Sequence, residues 1–155
     1  MHMTNMTKQP RSIGRGILMN AGLACLLAGL VAANAAEEKA AKGKNIDVSK
    51  LPPAAAKKVD FKKEIKPIFD KSCSDCHEGS TPSGGFRVDK REAALKGGEH
   101  GVAIIPGKSE KSPLIHYVVR LVKDLEMPPD GSGDPLTKEQ VGLLRAWIDQ
   151  GAKWE

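Results

Sequence analysis

Ring side chains are scarce in this sequence: three Phe, two Trp and one Tyr make up 4% of 155 residues, too few to fill a domain-sized core alone. Cysteine is nearly absent, occurring only at Cys25, Cys73 and Cys76. Neither sign of charge dominates. The formal net charge of +5 falls to +2 for residues 36–155 once Lys8, Arg11 and Arg15 are set aside, so nucleic-acid binding has no compositional support. Only one long apolar run exists, at residues 17–33. No βαβ alternation surrounds the cysteine pair, as a thioredoxin-like dithiol would need.

What is present begins with a leader. Lys8, Arg11 and Arg15 form a basic, acid-free stretch ahead of the apolar run, which closes on Ala33-Asn34-Ala35, an A-x-A cleavage pattern. The run is barely long enough to span a bilayer and is interrupted by Asn20 and several glycines. Residues 1–35 therefore read as a secretory signal peptide, and membrane attachment is expected only if the leader is retained. Cys25 sits mid-run, is a poor lipoprotein site, and leaves with it. Removal also leaves Met127 as the only methionine. Residues 36–58 are rich in Ala, Lys and Glu, contain Leu51-Pro52-Pro53, and read as a flexible linker. Residues 59–155 suffice for one domain and are too few for two.

The stretch that organises this domain is Cys73-Ser74-Asp75-Cys76-His77. A C-x-x-C-H run is the pattern for covalent attachment of c-type haem. Residues three and four apart share one helix face, so Cys73, Cys76 and His77 converge on one flat ligand, with the thiols bonding its vinyl groups and the imidazole its iron. Met127, in Glu126-Met127-Pro128-Pro129, is the candidate for the opposite iron position, because a His/Met pair is the ligand set of electron-transfer cytochromes. Pro128 pushes Met127 out of helical geometry, and two prolines stiffen the loop that presents its sulfur. Zinc would need a second ligand pair at similar spacing, and His100 and His116 stand apart with no cysteine beside them. Because haem is joined to this motif outside the bacterial cytoplasm, the expected location is the periplasm. A buried porphyrin would also supply the missing apolar bulk.

Taken in order, Phe61, Ile65, Ile68 and Phe69 recur at helical spacing, with lysines around the rest, and predict an amphipathic helix interrupted by Pro67. Lys62, Lys63 and Lys66 on its polar face form either a plain solvated surface or a dock for an acidic redox partner. Residues 78–85 read as a polar loop and 86–88 as a very short strand. Asp89 with Glu92 resembles a capping box for a brief helix to Lys96, stopped by Gly97-Gly98. His100 follows in an exposed glycine-rich loop, and 102–105 is a second short apolar run. Ser112 as N-cap and Pro113 at the first position open a helix to about residue 123, with Leu114, Val118, Leu121 and Val122 on its apolar side and His116 on its polar side. Thr137 with Gln140 forms a capping box for a last helix to about residue 150, whose Val141, Leu144, Trp147 and Ile148 face the first helix near the haem edge. Trp147 and Trp154 read as packing residues.

Ile65-Lys66-Pro67-Ile68 before the C-x-x-C-H run, Gly84-Gly85-Phe86-Arg87-Val88-Asp89 and Ile105-Pro106-Gly107 after it, then Ser112-Pro113-Leu114, Met127-Pro128-Pro129 and Trp147-Ile148-Asp149-Gln150-Gly151, together resemble the planctomycete-type cytochrome c domains, a branch of the class I c-type cytochromes. The resemblance covers about residue 51 to the C-terminus. It implies an all-α, cytochrome c-like fold of several short helices around one covalent haem c, with long loops and very short extended segments. It also implies thioether links at Cys73 and Cys76, with His77 and Met127 as axial ligands. Family members are often fused to larger domains, and a stand-alone carrier is the expectation for this chain. A six-coordinate iron has no vacant site for substrate, so the expected role is non-enzymatic: outer-sphere, one-electron carriage between redox partner proteins. Two other roles remain open, a subunit docked to a periplasmic dehydrogenase, and a haem gas sensor or weak peroxidase if Met127 is labile. The nitrogen of His77 that does not bind iron requires an acceptor, commonly a backbone carbonyl, which the sequence does not identify.

Overall fold

Asp60 starts the first helical stretch by reciprocal capping: its carboxylate accepts the Lys63 amide at 3.0 Å while the Glu64 carboxylate accepts the Asp60 amide at 3.0 Å. In the computed structural model, which describes residues 46–155, a single π-helical turn at Phe61–Ile65 then passes into α1, Lys66–Ser72. The wide turn places Pro67 in the first turn of α1, where its missing N–H forfeits no helical bond. Its ring is exposed, so the expected interruption takes the form of a π-to-α junction. The leader expected at residues 1–35 lies outside the described residues.

Four more short helices follow: α2, Ser74–His77; α3, Arg91–Lys96; α4, Pro113–Val118; and α5, Lys138–Asp149. Among the described residues there is no strand, only an isolated bridge between Gly98 and Gly101. The fold is therefore all-α with long loops, as expected, and the short strand foreseen at 86–88 is loop. The Val88 amide is used elsewhere, donating to the His77 carbonyl at 3.0 Å.

The core lies between the first helical stretch and α5. Phe61, Ile65, Ile68 and Phe69 are buried against Val141, Leu144, Trp147 and Ile148, the stripes that periodicity picks out. Phe61 and Trp154 rings lie 4.7 Å apart, and Trp147 meets the edge of Phe69 at 5.6 Å. Trp147 Nε1 donates to the Lys153 carbonyl at 2.7 Å, so its one polar atom is satisfied in the core. Thr137 and Gln140 form the expected capping box on α5.

Residues 36–58 read as a linker, yet their described part is fastened from Leu51 onward. Leu51 is buried, Arg145 Nη1 donates to the Pro52 carbonyl, and the Ala55 amide donates to the Gly142 carbonyl at 2.9 Å. Gln150 closes the clamp, its amide nitrogen donating to the Lys57 carbonyl at 2.8 Å and its oxygen accepting the Val59 amide at 3.0 Å. A side chain at Gly142 would start 2.9 Å from the Pro53 carbonyl oxygen, so the glycine permits this close approach. The packed unit thus begins at Leu51, ahead of the expected 59, because α5 satisfies the backbone of a segment that has few apolar side chains of its own.

Two expected helix starts are built differently. Asp89 caps nothing: its carboxylate pairs with Arg87 at 2.5 and 2.8 Å, and Lys90 precedes α3 without a side-chain cap. Ser112 precedes α4, but its hydroxyl donates to the Lys108 carbonyl at 2.9 Å and accepts the Ile105 amide at 2.9 Å, tying the 105–112 loop together. The helix expected to reach about 123 stops at Val118, because Arg120 takes a left-handed backbone conformation (φ 61°) and turns the chain toward Met127.

Candidate functional site

α1 breaks at Cys73 and the chain restarts as α2, with the Cys76 and His77 amides donating to the Cys73 carbonyl at 3.2 and 2.9 Å. That single turn brings Cys73, Cys76 and His77 to the wall of one cavity, and Met127, from the distant loop after α4, reaches the same cavity. The cavity has a volume of about 290 Å³ and is open to solvent on one side. Its apolar wall includes Phe86, Ala103, Leu114 and Val118. No residue of α5 lines it, so the last helix braces the first one from behind the cavity wall.

His77 Nδ1 lies 3.2 Å from the Phe86 carbonyl oxygen, which can only accept, so Nδ1 carries the proton and Nε2 keeps its lone pair for a metal. This carbonyl is the partner that the sequence leaves unidentified. The Phe86 ring also stands edge-on to the imidazole at 5.4 Å and fixes its tilt.

The two cysteines are free thiols in different settings, Cys73 half-buried and Cys76 exposed. Burial, with a smaller contribution from Cys76, pushes the Cys73 thiol up to about 12. Such a thiol suits an attacking redox dithiol poorly. Nor do any three His, Cys, Asp or Glu side chains among the described residues converge as a metal-holding group. Thioether formation to a macrocycle makes no demand on a standing thiolate, and the residues present fit that group: two thiols, one imidazole with its outer nitrogen satisfied, one thioether, and an apolar wall.

Met127 is held by more than its prolines. Its amide donates to the Tyr117 carbonyl at 3.1 Å, while Arg120 donates to the Pro128 carbonyl at 3.1 Å and to the Asp130 carboxylate at 2.5 Å. Tyr117 lines the cavity, and burial raises its phenol above the ordinary value. Sequence reasoning missed Arg120 and Tyr117, although Tyr117 lies three residues after Leu114 on the same helix face. His116 is turned away, its Nε2 2.7 Å from the Glu110 carbonyl, and is no part of the site. His100 is exposed, beside Glu99 at 3.4 Å, and stands on the cavity rim.

The rim loop is held by a contact that only glycine allows. The Glu99 amide donates to the Gly84 carbonyl at 2.8 Å, and a Cβ on Gly98 would press well inside contact distance of that same carbonyl oxygen. Gly97-Gly98 thus does more than end α3: it docks one loop on another to build the wall.

No curated protein and no solved structure gives a significant match to the chain. The sequence model of the planctomycete cytochrome C family matches residues 73–131, which run from the first cysteine of the motif through Met127 and take in most of the cavity wall. The regular elements among the described residues are all helical, and the family implies haem c binding in the service of electron transfer. Over residues 73–131 the chain matches a planctomycete-type cytochrome c domain.

Proposed function

We propose that the domain carries single electrons by outer-sphere transfer, with one haem c thioether-linked at Cys73 and Cys76 and with His77 and Met127 on either side of the iron. The observation that supports this most directly is that the C-x-x-C-H turn and Met127 line one cavity with apolar walls. When bound, the haem supplies a reversible one-electron couple. The chain supplies the rest. Cys73 and Cys76 anchor, the Phe86 carbonyl orients His77, and the clamp from Tyr117 and Arg120 orients Met127. Leu114 and Val118, both buried, exclude water from one wall. With His77 and Met127 both holding the iron, no position would be left for a substrate, which favours carriage over catalysis. We further propose export to the periplasm, supported by the Ala33-Asn34-Ala35 pattern and by the compartment in which C-x-x-C-H is loaded.

Absorption spectra of the ferric and ferrous protein from a periplasmic fraction, beside Met127→Ala, test the reading. The wild type is expected to give a low-spin c-type spectrum with a weak methionine-to-ferric-iron charge-transfer band that Met127→Ala loses. A spectrum unchanged by Met127→Ala would remove Met127 as a ligand, and a protein without covalent haem would overturn the proposal.

A further inference from the structure

An electron leaving this site crosses the cavity mouth, and the charge there is unlike the charge at the start of the first helix. We propose that the mouth is a docking surface for a redox partner presenting lysine and arginine side chains; this rests on the electron-carrying reading above. Of the charged residues that line the cavity, Asp75 and Glu99 are acidic and exposed, with Lys71 the one cation among them. The Met127 loop adds to this: residues 120–134 carry four carboxylates against two cations, and one of those cations, Arg120, is already paired with Asp130. Asp124 and Asp134 lie outside the cavity lining but stand exposed on either side of Met127 in the same loop.

The lysine-rich segment, the alternative face for a partner, differs in place and in balance. Lys62, Lys63 and Lys66 line no part of the cavity. Lys57, Lys63 and Lys66 are each paired, with Glu64 at 2.5 Å, Asp60 at 3.9 Å and Asp70 at 2.6 Å, so much of that charge is answered within the chain. Charge complementarity at the point of electron exit therefore selects a cationic partner surface. Steering by such a field acts on the association rate and is screened by salt.

The test uses the reduced holoprotein and two small oxidants of opposite charge, tris(phenanthroline)cobalt(III) and ferricyanide. In each reaction the protein loses one electron and the oxidant gains it. Between about 0.01 M and about 0.1 M salt the screening length shrinks from about 30 Å to about 10 Å. The rate constant with the cobalt cation is expected to fall about threefold or more over that range, and that with ferricyanide to rise. Because haem brings carboxylates of its own, variants read the share due to the chain. Asp75→Asn with Glu99→Gln, at an unchanged visible spectrum, is expected to lower the low-salt cobalt rate about threefold, whereas Lys62→Gln with Lys63→Gln leaves both rates unaltered. Should the first variant fail to load haem, Asp124→Asn with Asp134→Asn, both on the exposed loop, takes its place with the same expectation. A cobalt rate that rises with salt, carboxylate variants as fast as wild type, or a ferricyanide rate cut by the lysine variant would overturn the docking proposal while leaving the carrier reading intact. A protein without a reducible haem would overturn both.

Discussion

Four of the six aromatic rings, Phe61, Phe69, Trp147 and Trp154, pack together behind the first helix, while Phe86 and Tyr117 alone face the cavity. One side of the domain is thus a self-sufficient seam of two helical stretches. The other side is a set of loops held by backbone hydrogen bonds around a space that the chain does not fill. The seam obtains its stability from contacts already made; the cavity side has few apolar contacts to lose and is the part that a bound macrocycle would complete. A sequence so poor in rings concentrates them where the chain must stand unaided.

The sharpest way to break this comparison is to withhold the cofactor. Cys73→Ser with Cys76→Ser is expected to abolish covalent haem completely, read as loss of the mass increment and as extraction of haem by acidified organic solvent. In that protein, amide hydrogen exchange in the loops at 78–90, 97–107 and 119–134 is expected to approach unprotected rates while α5 stays protected. Equal loss of protection in both regions would end the distinction between them.

Trp147→Ala attacks the seam instead. It is expected to destabilise the holoprotein by about 3–5 kcal/mol in urea unfolding, the range for truncating a buried aromatic, with the visible spectrum of the remaining folded fraction unchanged. Gly98→Ala attacks the cavity wall and is expected to cost about 1–3 kcal/mol, as overpacking does, but with a shifted haem spectrum because the 84–99 loop contact must open. Thr137→Ala removes one arm of the α5 capping box and is expected to cost about 1 kcal/mol without any spectral change. A spectral shift in Thr137→Ala or Trp147→Ala, or none in Gly98→Ala, would show that the two sides are coupled more closely than their packing indicates.

The same division explains what the sequence made legible. The seam announces itself, because Phe61, Ile65, Ile68 and Phe69 repeat at helical spacing and Thr137 with Gln140 is a two-residue signature with one geometric meaning. Cys73, Cys76, His77 and Met127 were legible for a different reason: side-chain chemistry narrows their use regardless of fold. What stayed hidden depends on partners at no regular spacing in the sequence. Gln150 holding residues 57 and 59, Arg120 holding the Met127 loop, and Ser112 and Asp89 turned to tasks other than capping all satisfy backbone or charge across loops, and such bonds leave no period in the sequence. The fastened segment after Leu51 is the plainest case. Its composition is that of a tether, and its order is conferred by the helix it lies on.

His77 hangs from the Phe86 carbonyl, and the Met127 amide hangs from the Tyr117 carbonyl one helix away. Both donors to the proposed centre are thus referenced to the main chain, with little room to swing when the centre changes oxidation state. In the language of electron-transfer rates, ligands held in this way would keep the inner reorganisation small, the geometry suited to the oxidised form lying close to that suited to the reduced one. The speed of such a carrier is then governed by the gap to its partner and by how long the two stay together, which returns control to the side chains at the rim of the cavity.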